Sequence, residues 1–134
     1  MEAIARPSWE VRRSLSPRAV VVCVDDDPAI LRSYGRLLRN EPYDLILFDD
    51  PGKALDRIAR ADVDLVLSDE RMPGMNGTTL LEEVARRSPR TCCALVTAYP
   101  EGRTTSARIL RLIGKPWDDQ DLKEAIRDLL CDRS

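Results

Sequence analysis

Five short apolar runs recur along this chain, and segments of helical period fill most of the gaps between them. The runs are Ala19–Val24, Leu45–Phe48, Val63–Leu67, Cys92–Val96 and a brief one at Leu112-Ile113. They are apolar throughout rather than alternating, the pattern of strands buried on both faces. Between them, Ile30, Leu31, Tyr34, Leu37 and Leu38 share one helical face. The same spacing recurs at Leu55, Ile58 and Ala59, at Leu80, Leu81, Val84 and Ala85, and at Leu122, Ala125, Ile126, Leu129 and Leu130. Asp27-Pro28 and Asp50-Pro51 each offer an N-cap followed by a proline at the first helical position, where a missing N–H costs nothing. Asp118 can cap the last helix. Parallel neighbours need a crossover, so the pattern predicts βαβ units and an α/β doubly wound, five-stranded parallel sheet.

Composition narrows the class. A chain of 134 residues forms one domain, with residues 1–18 as a flexible extension and 19–134 as the domain. The extension holds Pro7 and Pro17 and little periodic apolar pattern. Apolar residues are 43% and charged residues 33%, with a net charge of −2, which makes no case for direct nucleic acid or membrane contact. No apolar run reaches the ~18 residues of a membrane span, and no leader is visible. Cys23, Cys92, Cys93 and Cys131 form no CxxC pair, and three lie in the apolar runs, as buried reduced thiols of a cytoplasmic protein would. The chain has no histidine, which removes Ser-His and Cys-His catalysis. Any phosphohistidine in its chemistry belongs to a partner.

The polar residues that end the runs carry the chemistry. The first run ends in Asp25 and Asp26, the third in Asp69, the fourth in Thr97 and the fifth in Lys115. In a parallel sheet these ends meet at one carboxyl edge, where ligands bind. Singly, each has a plain explanation: acidic runs cap helices, threonines end strands, lysines face water. Jointly they are more informative, and Lys115 is one of only three lysines beside 18 arginines. Three crowded carboxylates repel, and a hard divalent cation relieves this; Mg2+ takes one or two carboxylates and a phosphate. A nucleophilic aspartate, a metal, a hydroxyl and an ammonium together suit placing a phosphoryl group on a carboxylate.

The segments VVCVDDDPAIL, LVLSDERMPGMNG, LVTA and IGKPW, in this order, resemble the receiver domain of bacterial two-component response regulators, over roughly residues 19–131. The resemblance implies a flavodoxin-like (βα)5 fold with strand order 2-1-3-4-5. It implies Asp69 as phosphoacceptor, with Thr97 and Lys115 contacting the phosphoryl group. Asp25 and Asp26 match the acidic pair, Asp26 the more direct ligand of Mg2+ or Mn2+, and Arg71 matches the position whose backbone carbonyl completes the metal site. The implied partners are a sensor histidine kinase or histidine phosphotransfer protein and an output domain or effector; a homodimer stays open. The chain ends at Ser134, as a single-domain regulator or an excised receiver would.

Two features depart from that pattern. Thr97 and Lys115 are 18 positions apart, about one helical turn short, and residues 100–110 lack an apolar stripe. The fourth helix is therefore expected to be short, frayed or absent. The family's switch aromatic, three residues before the lysine, is here Leu112. Two other functions compete: a haloacid-dehalogenase-like phosphatase with Asp25 as nucleophile and Asp27 as acid, and a receiver-like adaptor that is never phosphorylated. Ala29 stands where that phosphatase pattern expects Thr or Val.

Overall fold

The computed structural model describes residues 18–99 and 108–131. In chain order the elements are β1 (Val20–Val24), α1 (Pro28–Leu38), β2 (Asp44–Phe48), α2 (Pro51–Arg60), β3 (Leu65–Asp69), α3 (Gly77–Arg87), β4 (Cys92–Thr97), β5 (Arg111–Gly114) and α4 (Asp119–Cys131). The strands form one parallel sheet in the order β2-β1-β3-β4-β5. This is the predicted order, and it reverses direction between β1 and β3, the switch point at which such sheets leave a crevice.

Strand alternation sorts the core into two layers. Val21, Cys23, Leu65, Leu67, Ala94, Val96 and Ile113 pack with Tyr34 and Leu38 of α1 and with Leu122, Ile126 and Leu129 of α4. Val22, Val24, Val66, Cys93 and Leu95 pack with Ala54 of α2 and with Leu80, Leu81 and Val84 of α3. Both faces of the sheet are covered, which is why the strand interiors are apolar on both faces rather than alternating.

The helix starts follow the sequence closely. Asp27 Oδ1 accepts the Ala29 N–H at 2.9 Å, Asp50 Oδ2 the Lys53 N–H at 3.2 Å and Asp118 Oδ1 the Asp121 N–H at 2.9 Å. The third strand begins two residues later than its apolar run. Val63 is buried but stands outside the ladder, its carbonyl satisfied by the Thr91 hydroxyl at 2.7 Å. Cys23, Cys92 and Cys93 are buried free thiols, while Cys131 is exposed. Burial pushes the Cys93 thiol up to about 12.

The expected flexible extension lies outside the described residues except for Arg18. Residues 100–107, most of the expected short fourth helix, lie outside them too.

Candidate functional site

Register sets the site. Val24 pairs with Ser68, Asp69 with Val96 and Thr97 with Gly114, so β1, β3, β4 and β5 end nearly level. Asp25, Asp69, Thr97 and Lys115 therefore share the carboxyl edge, as the sequence predicts.

The three carboxylates differ in their surroundings. Asp25 is 1% exposed, and both its oxygens are engaged. Oδ1 accepts the Asp27 N–H at 2.9 Å and Oδ2 accepts Lys115 Nζ at 2.8 Å. Asp26 is exposed. Asp69, the last residue of β3, lies 3.3 Å from Lys115 Nζ and lines a cleft of about 1360 Å³. Ligand oxygens of Asp25, Asp26 and Asp69 all lie within 4.8 Å of one another. All donors are hard oxygens, and three carboxylates face one ammonium, so the set fits a hard divalent cation.

The electrostatics report the same crowding. Burial and the neighbouring Asp25 hold the Asp69 carboxyl above its ordinary value, and Lys115 offsets them only in part. Burial pulls the Lys115 ammonium down, but Asp25 and Asp69 outweigh it, so its proton is held more tightly than usual.

Thr97 is 8% exposed; its hydroxyl oxygen accepts the Tyr99 N–H at 3.2 Å, and among the described residues nothing accepts its own proton. Arg71 and Tyr99 line the cleft, with the Arg71 guanidinium 5.8 Å from the centroid of the Tyr99 ring. The Lys115-Pro116 bond is cis. Asp27, the alternative acid, is committed to capping α1.

Three features were not singled out from the sequence. Asn76 caps α3 by accepting the Thr79 N–H at 2.8 Å. Glu70 hydrogen-bonds Thr78 across the loop between them. Trp117 stacks on the buried Tyr34, ring centroids 4.7 Å apart. An acid directly after Asp69 and a hydroxyl in the first turn of α3 were the available signals for the second.

Fold and edge together define a flavodoxin-like domain whose acidic, cation-seeking site sits at the topological switch point. The chain belongs to the response regulator receiver domain family, whose description matches residues 21–127. Its members are the regulatory phosphoacceptor modules of two-component signalling. The chain is 33% identical over 116 residues to the transcriptional regulatory protein GlrR of Escherichia coli K12, covering 84% of this chain and 26% of GlrR. It therefore spans about a quarter of that relative's length. Among solved structures, the signal receiver domain of an HD domain-containing protein from Pseudomonas fluorescens Pf-5 aligns with TM-score 0.80 and 33% identity, over 88% of this chain and 90% of that one. The response regulator TrrA of Thermotoga maritima, in complex with Mg2+-BeF, aligns with TM-score 0.76 and 26% identity, over 83% of this chain and 98% of that one. Among the described residues no helix is long and apolar enough to cross a membrane.

Proposed function

We propose that Asp69 accepts a phosphoryl group from a phosphohistidine on a sensor kinase or phosphotransfer protein, and that the acyl phosphate switches the domain toward a partner or output module. One observation carries the choice of residue. Of the three clustered carboxylates, Asp69 alone lines the cleft, whereas Asp25 is buried with both oxygens bonded and Asp26 is exposed. The phosphatase alternative needs Asp25 as the nucleophile, and nothing in its surroundings favours that.

In the transfer, an Asp69 oxygen attacks phosphorus as the bond to the donor nitrogen breaks, and the bonding pair stays with that nitrogen. Lys115 Nζ, 3.3 Å from Asp69, is in reach of the phosphoryl oxygens, and the Thr97 hydroxyl can donate to another. Asp25, Asp26, Asp69 and the Arg71 backbone carbonyl would hold an Mg2+ or Mn2+ ion, which when bound neutralises charge at this edge. Chemistry beyond acceptance is limited to slow loss of the acyl phosphate. Any contact with DNA belongs to an output module rather than to this domain of net charge −2. A cytoplasmic setting fits the free thiols.

Mass spectrometry after treatment with acetyl phosphate and Mg2+ tests the proposal. Label on Asp69, abolished by Asp69→Asn and requiring the metal, is the expected result. Label on Asp25 would support the phosphatase, and no label the adaptor.

A further inference from the structure

Glu70, the residue after Asp69, is bound to the start of α3 more fully than capping requires. Its backbone carbonyl accepts the Gly77 N–H at 2.9 Å. Its Oε1 accepts both the N–H of Thr78, at 2.7 Å, and the Thr78 hydroxyl, at 2.9 Å, from eight positions away. A helix start is normally served by the residue just before it, and here Asn76 already fills that role through the Thr79 N–H. Glu70 reaches the same turn from across the Arg71–Asn76 loop, with a negative charge at the positive end of the helix.

The backbone next to this clamp is held just as closely. A Cβ on Gly77 would overlap the Asp69 carbonyl oxygen, so the helix start packs directly against the acceptor residue. The Ser68 hydroxyl donates to that same carbonyl at 2.9 Å. Asp69 and Arg71 flank Glu70 in the chain, so fixing Glu70 fixes the backbone that carries both.

We propose that Glu70 is a positioning residue for phosphoryl transfer: its clamp on Thr78 holds Asp69 and the Arg71 backbone in the mutual geometry that metal and phosphoryl group require. The inference rests on the roles given above to Asp69 and Arg71. The Glu70 side chain bonds Thr78 rather than the reacting atoms, while its backbone N–H donates to the Asp69 carboxylate. The carboxylate of Glu70 acts through the backbone it holds, as residues behind metal ligands do. A simple cap would change stability alone, whereas a positioning residue changes ligand affinity and maximal rate as well.

The test uses the full chain as wild type, Glu70→Ala, Glu70→Gln and Thr78→Val. Mg2+ binding to the unphosphorylated protein is measured by calorimetric titration. Asp69 labelling is followed across acetyl phosphate concentrations, and thermal midpoints are recorded alongside. Glu70→Ala is expected to weaken Mg2+ binding about tenfold. It should also lower the maximal labelling rate while leaving the half-saturating donor concentration unchanged. Glu70→Gln keeps an oxygen that can accept both Thr78 bonds and should restore most of each loss. Thr78→Val removes only the hydroxyl bond and should fall between wild type and Glu70→Ala. A lowered thermal midpoint with wild-type Mg2+ affinity and rate in Glu70→Ala would overturn the proposal and leave a plain cap. Should Glu70→Ala not fold, wild-type Mg2+ affinity in Thr78→Val would overturn it instead. A wild-type chain that neither binds Mg2+ nor labels would overturn the underlying function, and this inference with it.

Discussion

Arg71 and Tyr99 come from different loops and meet in the lining of the cleft, the guanidinium 5.8 Å from the ring centroid. Tyr99 is 62% exposed, so the ring is held by this contact more than by burial. An acyl phosphate on Asp69 is lost when water attacks phosphorus in line with the bond to the carboxyl oxygen. Arg71 and Tyr99 stand two residues after Asp69 and Thr97 and line the same cleft, where they would flank that approach. Both are bulky, and neither is a carboxylate or amide able to position the water. Phosphorylated Asp69 is therefore expected to decay slowly. Tyr99→Ala opens the cleft, and Arg71→Asn adds an amide while removing the cation. Each should hasten phosphate loss, followed by phosphate release after the donor is removed. Unchanged decay in both variants would show that the pair shields nothing.

At the level of elements, α3 is the support of the site, because its first turn grips the chain just past Asp69. Its cap is one separable part of that grip. Asn76→Ala removes the bond to the Thr79 N–H and should cost about 1 kcal/mol, read as a lower urea midpoint with an unchanged slope. Gly77→Ala should cost more, because the clash is with the Asp69 backbone rather than a movable side chain. The reasons that α1, α2 and α4 were legible in the sequence explain why α3 was less so. Asp27-Pro28 and Asp50-Pro51 combine a cap with a proline fixed for the first helical position, and Asp118 precedes an amphipathic run. Asn76 instead sits in Pro73-Gly74-Met75-Asn76-Gly77, where every residue type is also a turn former. Gly74 does make such a turn, at φ +86°, a conformation suited to glycine. The strand ends, and with them Asp25, Asp69, Thr97 and Lys115, were readable because an apolar run stops abruptly at each. The Glu70–Thr78 clamp was not, because it depends on the path of that loop, which periodicity does not encode. The Tyr34–Trp117 stack was hidden for a similar reason: its rings come from α1 and from the loop after β5.

For the molecule as a whole, the acidic edge is a cost to folding that a bound cation would relieve. Asp69 is held above its ordinary value of 3.8 by burial and by Asp25. A raised carboxyl means that the folded chain binds this proton more tightly than the unfolded chain does. Its ionisation therefore lowers stability as pH rises from 3.8 through the raised folded-state value. Lys115 has the opposite sense. Its proton is held above the ordinary 10.5, so its contribution is intact at neutral pH and is lost only as pH rises beyond that value. Lys115 is thus charged at pH 7 and still does not offset burial and the Asp25 charge together at Asp69. Without divalent metal, Asp69→Asn should be more stable than wild type at pH 7, and the difference should shrink as pH falls toward the ordinary carboxylate range. Adding Mg2+ should reverse the comparison. An ion that binds only the folded state at a hundredfold excess over its dissociation constant contributes about 2.7 kcal/mol, and Asp69→Asn loses a charged ligand for it. Urea unfolding of both proteins at neutral and acid pH, with EDTA and with Mg2+, measures all four corners. Wild type more stable than Asp69→Asn at pH 7 in EDTA would mean that the Lys115 ion pair outweighs burial and the repulsion from Asp25 together, and that the edge is balanced without a metal.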